Sequence, residues 1–349
     1  MKNLLSFFGK SVGVDLGTAN SLIYVSGRGI VVNEPSIAAV NNKTSHVLAI
    51  GADAKKMLGR TPQHVNVVRP LISGVISDFE MTQEMLSHFL KRVGGPQTLM
   101  NFKEAVIGVP TNLTEVERKS VEDAVLGAGV ARAYIIEEPL AAALGARLPI
   151  DEPTANMIVD IGGGTTEVAI ISMGGTVISK SLKVAGDKLS DDIIRYIRDE
   201  FKLAIGEPSA EELKMTIGSA VPMADKLDMV VRGRDLITGL PKEVQVKDSH
   251  IRLAISKSLK QVVETVKEVV EASPPELTGD ILKRGIYLCG GGSMLRGIDK
   301  LLSASLNVAV NVVDDPLTCV VRGTGVAVEN LDKYAQILDN PLQPRDITT

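Results

Sequence analysis

The sequence predicts an α/β protein made of two related halves, each carrying a smaller inserted subdomain. Three observations lead there. Residues 12–20 read V-G-V-D-L-G-T-A-N and residues 158–167 read I-V-D-I-G-G-G-T-T-E, so one pattern occurs twice, with Asp15 and Asp160 145 residues apart. Strand-like and helix-like stretches alternate along much of the chain, as a doubly wound design requires. Two stretches, 31–76 and 181–246, break that alternation with Pro, Gly and mixed charge, and read as the inserted subdomains.

The first ten residues, M-K-N-L-L-S-F-F-G-K, stand apart from the rest. Wound at about 100° per residue, Leu4, Leu5, Phe7 and Phe8 share an arc with Met1, opposite Lys2, Asn3, Ser6 and Lys10. An interfacial helix that dips into the lipid boundary is the expectation. A terminal strand or turn docked on the core is the alternative. The segment is short and lacks a small-residue cleavage site, which argues against a signal peptide. No apolar stretch approaches the roughly 20 residues that span a bilayer. A second apolar element, Leu99-Met100 with Phe102, suits either the same surface or the core.

Each repeated segment is an apolar run ending in Asp, then a Gly/Thr-rich turn, then a second apolar run. That is a β-hairpin with its turn at the head of a sheet. Glycine lets the backbone approach a ligand and aim its N–H groups at an anion. Amides at Gly17, Thr18, Ala19 and Asn20 would hold one side of a phosphate chain, and those at Gly162, Gly163, Gly164 and Thr165 the other. Asp15 and Asp160 sit where a hydrated divalent cation bridges phosphate oxygens, in a solvated setting. A lone Asp-x-Gly-Thr turn is more often a plain hairpin whose Asp caps its own backbone; two copies half a chain apart favour the polyphosphate.

Further elements follow in order. Residues 114–128 form a helix with Thr114 as N-cap and Glu117 completing a capping box. A helix over 190–204 opens with Ser-Asp-Asp and lines up Ile193, Ile194, Ile197 and Phe201. Another over 255–270 carries Leu259, Val262, Val263, Val266 and Val269 and stops before Pro274-Pro275. Residues 285–297 read as a strand, a triple glycine (Gly290, Gly291, Gly292) and a helix bearing Met294 and Leu295.

Composition excludes some functions. The 349 residues are 44% hydrophobic and 23% charged, ordinary for a globular protein with a large core. A net charge of −4 with no dense basic run argues against nucleic acid as a main partner. Cys289 and Cys319 are too few for a disulfide framework and read as buried free thiols. The four histidines are scattered without ligand spacing.

The two Asp-Gly turns, G-V-P at 108–110, I-E-E-P-L-A-A-A at 136–143 and the late G-G-G-S resemble the actin/sugar-kinase/heat-shock-chaperone ATPase superfamily. Within it, N-E-P-S at 33–36, R-G-I-V-V-N at 28–33, A-G-D at 185–187 and P-P-E-L at 274–277 are similar to the MreB family of bacterial actin homologues. The resemblance covers essentially the whole chain. It implies the actin-like layout with ATP and Mg²⁺ in a central cleft. The first large subdomain would take 11–30, 77–150 and 317–349, with 31–76 as its small one. The second would take 151–180 and 247–316, with 181–246 as its small one.

The resemblance also assigns roles. Glu138 corresponds to the catalytic acid, with Thr165 as its partner on the attacking water; Glu137 is the rival. Helix dipole complementation alone would also account for both glutamates. No Lys or Arg follows either glycine turn, so the metal carries most of the charge neutralisation. The adenosine end would use Gly290, Gly291, Gly292, Ser293 and Met294 with Ala210, Glu211, Glu212, Leu213 and Lys214. Glu211 and Lys214 are i, i+3 on one helical face, a pattern an ordinary surface ion pair also produces.

Two function classes remain from sequence. One is an ATP-hydrolysing cytoskeletal protein whose product is a filament on the inner face of the cytoplasmic membrane. Resemblance implies that it maintains rod shape with membrane-bound cell-shape and wall-synthesis partners. The other is a small-molecule kinase or chaperone-type ATPase. A kinase needs a catalytic Asp facing the γ-phosphate, where this chain has Gly162-Gly163-Gly164-Thr165; a chaperone is expected to continue well beyond Ala327.

Overall fold

The computed structural model describes residues 10–94 and 102–338, so Leu4, Leu5, Phe7 and Phe8 lie outside it, as do Leu99 and Met100. The chain divides into two compact units. The first holds the chain up to Glu152, the piece Met173–Gly175 and everything from Thr318 onward; the second holds Pro153–Ser172 and Thr176–Leu317.

In the first unit, β1 (Val12–Leu16), β2 (Asn20–Val25) and β3 (Gly29–Pro35) make an antiparallel meander. Then come β4 (Ala38–Asn41), β5 (His46–Ile50), α1 (Ala52–Met57) and β6 (Val65–Val68), whose strands form a separate sheet of order β5-β4-β6. That sheet has its own small core of Ile37, Ala39, Ala54 and Val65. A short hairpin, β7 (Leu71–Ile72) with β8 (Val75–Ile76), leads into α2 (Phe79–Gly94). β9 (Ala105–Val109), α3 (Glu115–Gly127), β10 (Ala133–Glu137) and α4 (Glu138–Gly145) complete the run. β9 and β10 run parallel to β1, giving the order β10-β9-β1-β2-β3. Val14, Ile23 and Ile107 of this sheet pack against Phe89 of α2 and Val121 and Val125 of α3. Phe102 joins the same core, which decides between its two readings.

The second unit repeats the plan. Its elements are β11 (Asn156–Ile161), β12 (Thr166–Ser172), β13 (Gly175–Leu182), α5 (Gly186–Phe201), β14 (Leu203–Ala204), α6 (Glu207–Ile217), β15 (Asp228–Asp235) and β16 (Pro241–Lys247). They continue with α7 (Asp248–Glu271), α8 (Pro275–Arg284), β17 (Ile286–Cys289), α9 (Ile298–Leu306) and β18 (Val310–Val312). The main sheet has the order β13-β12-β11-β17-β18, and β14-β15-β16 form a smaller one. In each main sheet the Asp-bearing strand lies between its antiparallel hairpin partner and a parallel strand from later in the chain: β1 between β2 and β9, β11 between β12 and β17. This shared topology bears out two related halves.

The chain then returns to the first unit as α10 (Cys319–Glu329) and α11 (Leu331–Tyr334). α4 and α10 pack backbone on backbone. A Cβ on Gly323 would stand 1.7 Å from the Ala141 carbonyl oxygen, and one on Gly145 1.9 Å from that of Cys319. The alanine-rich sequence of α4, with every residue buried, permits this approach. Cys289 and Cys319 are buried free thiols, as expected.

The Thr114/Glu117 capping box is present in full at the start of α3. Three boundaries differ from expectation. α5 begins at Gly186 instead of Ser190, because its first amides are satisfied by carbonyls of the 162–163 turn, and it ends at Phe201, where Lys202 turns left-handed (φ 53°). α7 begins at Asp248 instead of Ile255; the Lys247 N–H donates to His250 Nδ1 and Ile251 is already buried. After β17 a single 3₁₀ turn, Gly291–Met294, intervenes, and α9 starts only at Ile298, so Met294 and Leu295 lie outside that helix. Among the described residues no helix is long and apolar enough to cross a membrane.

Candidate functional site

The conserved geometry of each unit gathers at the carboxyl ends of its parallel strands, where open α/β sheets bind ligands. In the first unit, Asp15, Gly108 and Ile136 are in register across β1, β9 and β10. Glu138 follows two residues beyond Ile136 and opens α4. Gly108 makes room for it: a Cβ there would lie 3.7 Å from Glu138 Cγ and 2.9 Å from Val320 Cγ1. Glu138 is buried, whereas Glu137 faces Arg118, with Oε1 3.7 Å from Nη2.

The turn after Asp15 is fixed through its carbonyls. Ser36 donates its hydroxyl to Gly17 O at 2.6 Å and its N–H to Ala19 O at 3.0 Å, while Ser21 Oγ lies 2.9 Å from Ser36 Oγ. Gly17 has no room for a side chain, since a Cβ would meet Asn20 O at 2.6 Å. A turn whose carbonyls are taken up this way is a donor surface, suited to an anion. Thr18 is buried, and its Oγ1 accepts the Gly74 N–H at 2.9 Å. Gly74 belongs to the β7–β8 loop, where Ser73 and Gly74 both have positive φ, the tight two-residue hairpin geometry. Thr18 is therefore placed to offer its backbone amide, its hydroxyl being engaged by Gly74.

In the second unit, Asp160 pairs with Glu167 across the β11–β12 hairpin and with Cys289 on β17. It is only 6% exposed. The solvated setting expected from sequence is thus corrected: Gly290 (φ 76°) closes over the carboxylate so tightly that a Cβ would stand 2.2 Å from Oδ1. Burial, and then the neighbouring Glu167 charge, push the Asp160 carboxyl up to about 7, opposed by a hydrogen bond from Cys289. The Gly162–Thr165 turn closes through the Gly162 N–H to Thr165 O at 2.9 Å. The N–H groups of Gly186 and Asp187 then donate to Gly162 O and Gly163 O at 3.1 and 2.8 Å. Thr165 is buried beside Thr166, whose hydroxyl donates to Val184 O at 2.7 Å.

On α6, Ala210 and Leu213 face the core, Glu212 is exposed, and Glu211 and Lys214 are ion-paired at 2.6 Å. The 290–294 loop is joined to this helix by Arg296. Its guanidinium donates to Ile217 O and Gly218 O at 3.0 and 3.1 Å, capping the C-terminal end of α6. Ser293 folds back to donate to Gly290 O at 2.7 Å, and Met294 is 58% exposed beside the bare glycines. A flat apolar group fits against such backbone.

The residues fit a metal-bound polyphosphate on two counts. Asp160 is a buried acid whose charge is opposed by a second acid and favoured by no basic group, a deficit that a cation would fill. Among the described residues no group of three or more His, Cys, Asp or Glu could hold a metal alone, which suits an ion bound largely through water and phosphate. Ser21, Ser36, Gly74, Gly186, Ser190 and Arg296 were not reached from sequence as site residues. Ser36 and Gly186 lay inside motifs noted only for their resemblance.

A model of the family described as MreB/Mbl protein matches residues 9–336. The chain belongs to the MreB/Mbl family. It is 45% identical over 326 residues to the cell shape-determining protein Mbl of Bacillus subtilis (strain 168), covering 93% of this chain and 98% of that one. It is 44% identical over 338 residues to the cell shape-determining protein MreB of Escherichia coli (strain K12), covering 96% and 97%. Among solved structures it is similar to MreB5 of Spiroplasma citri bound to ADP, with a TM-score of 0.89, 40% identity, and coverage of 94% of this chain and 99% of that chain. The AMPPNP-bound form of that protein gives a TM-score of 0.90 at 40% identity, with coverage of 94% and 98%. This MreB/Mbl protein therefore has the actin-like fold and is a cytoskeletal protein of that family. The small-molecule kinase and chaperone readings fall away.

Proposed function

We propose that this protein binds and hydrolyses ATP and polymerises with copies of itself into membrane-attached filaments that determine cell shape. The carrying observation is the pair of matching half-sites, each an Asp and a backbone-clamped glycine turn at the carboxyl ends of parallel strands. The ADP- and AMPPNP-bound Spiroplasma citri relatives support an adenine nucleotide as the ligand that both half-sites serve. Gly17, Thr18, Ala19 and Asn20 hold phosphate on one side, and Gly162, Gly163, Gly164 and Thr165 on the other. Gly290 to Met294 and α6 take the nucleoside.

Asp15 and Asp160 would hold Mg²⁺ through its waters. Bound Mg²⁺ supplies the charge neutralisation that phosphoryl transfer needs and that no basic side chain near the turns provides. Glu138 accepts the proton of the attacking water, which Thr165 helps to orient. The four-subdomain division expected from sequence, with 31–76 and 181–246 as the small parts, belongs to this reading. So do the first ten residues as the anchor on the inner face of the cytoplasmic membrane, membrane-bound cell-shape and wall-synthesis proteins as partners, and no role for nucleic acid. The cell shape-determining names of the Bacillus subtilis and Escherichia coli relatives support it.

Electron microscopy of purified protein with Mg²⁺-ATP and lipid vesicles tests this directly. Filaments lying on vesicles with ATP, and none without nucleotide, are expected. Nucleotide-independent aggregates, or no polymer under any condition, would sink the reading.

A further inference from the structure

Lys214 is fully committed inside the protein. Its ammonium donates to Gly186 O at 2.8 Å, to Ser190 Oγ at 3.0 Å and to Glu211 Oε2 at 2.6 Å. An ammonium has three N–H bonds, and these three acceptors use them all. The side chain is 12% exposed. Such a group pays for its desolvation only through bonds of this kind.

Ser190 is buried on α5 and donates to the same Glu211 Oε2 at 2.7 Å. Both donors therefore grip one carboxylate oxygen. Oε1 takes part in neither bond, and the Glu211 side chain is 40% exposed. Gly186 is also bound in the other direction, its N–H donating to Gly162 O at 3.1 Å. A continuous chain of bonds runs from the 162–163 turn through Gly186 and Lys214 to Glu211. Gly186 leaves just enough space: a Cβ there would stand 3.3 Å from Gly162 O and 3.4 Å from Lys214 Nζ.

We propose that Ser190 and Lys214 are positioning residues, not nucleotide ligands, and that they lock Glu211 to the second glycine turn so that Oε1 accepts a hydrogen bond from a ribose hydroxyl. This rests on the nucleotide reading and moves Lys214 out of the ligand set, while Glu211 stays in it. A carboxylate pinned by one oxygen meets a ribose hydroxyl without first losing rotamer freedom, which is how preorganisation raises affinity.

The test compares ATP, 2′-deoxy-ATP and 3′-deoxy-ATP binding to the full chain, to Ser190→Ala and to Lys214→Met, with folding checked by melting. In the unaltered protein one deoxy analogue binds about tenfold or more weaker than ATP, the scale of a hydrogen bond to a charged group. In Ser190→Ala that ratio falls toward one, and ATP itself binds more weakly. Lys214→Met produces the same collapse, and carries the test should Ser190→Ala fail to fold. A merely structural bond would lower stability and leave the ratio alone. Retention of the ratio in folded Ser190→Ala overturns the proposal. So does a silent Ser190→Ala beside a Lys214→Met that weakens all three nucleotides equally, because Lys214 is then a ligand. Equal binding of all three by the unaltered protein overturns it while ATP binding stands. Absence of any ATP binding removes the nucleotide reading, and this inference with it.

Discussion

Asp160 and Glu167 stand directly opposite each other in the β11–β12 hairpin, and both are buried. Two acids in one desolvated place cannot both ionise cheaply. The Asp160 carboxyl is accordingly pushed up to about 7 from an ordinary value near 3.8, by burial first and Glu167 second. Between those two pH values the folded chain keeps a proton that the unfolded chain has released, so stability falls as pH rises. Melting of nucleotide-free protein from pH 4 to 8 should show this slope, and Asp160→Asn should flatten it. Mg²⁺-dependent ATP binding needs the ionised form, so affinity should rise up to about pH 7. A pH-independent difference between the two proteins would contradict the assignment.

Glu138 and Glu137 can now be separated. Glu137 is turned toward Arg118, whereas Glu138 is buried against Gly108, in register with Asp15. Glu138→Ala should retain ATP binding and slow hydrolysis by about 10²-fold or more, as for a lost proton acceptor. Filaments should form and persist. Glu137→Ala should leave the rate nearly unchanged. Single-turnover phosphate release on both variants decides, and the reverse pattern would make Glu137 the acid.

Ser36 clamps the first turn from outside it. Ser36→Ala deprives Gly17 O of its donor in a buried setting and should cost about 1–3 kcal/mol of stability. ATP affinity should drop further than urea denaturation alone accounts for, because the amides of residues 17–20 lose their fixed frame. An ATP affinity equal to that of the unaltered protein would show that the turn holds its shape without the serine.

The first ten residues call for a polymer-level measurement. Leu4, Leu5, Phe7 and Phe8 could each contribute about 1.5–3 kcal/mol if fully buried in lipid, less the cost of ordering the helix. A lone copy is a weak anchor, and a filament multiplies it without new contacts. Polymer should co-sediment with anionic vesicles far better than monomer. Phe7→Glu with Phe8→Glu should abolish this and leave ATP-dependent assembly intact; a double variant that fails to fold would place the segment in the core.

What was legible in the sequence was what depends on near neighbours. The capping box of Thr114 and Glu117 spans three residues, and the structure contains it whole. The two Asp-Gly turns announced their hairpins because each hairpin is one continuous segment. The start of α5 was hidden because Gly186 finds its acceptor at Gly162, far back in the chain. Asp160 read as solvated because Gly290, which closes over it, comes from a strand end 130 residues later. The Glu211–Lys214 pair was visible as an i, i+3 pattern, yet its meaning lay in Ser190 and Gly186, which no local spacing links to α6.

The contact of α4 with α10 offers a genetic handle. At Gly323 a single methyl group would have to displace one helix backbone from another, because the Ala141 carbonyl already occupies its place. Overpacking of this kind typically costs about 1–3 kcal/mol or more. Gly323→Ala therefore sets the stage for a heat-sensitive allele, active when cool and lost when warmed, with every residue assigned to the nucleotide left as it is. Cells carrying it would allow the protein to be withdrawn within one generation, and the order in which their shape fails could then be watched.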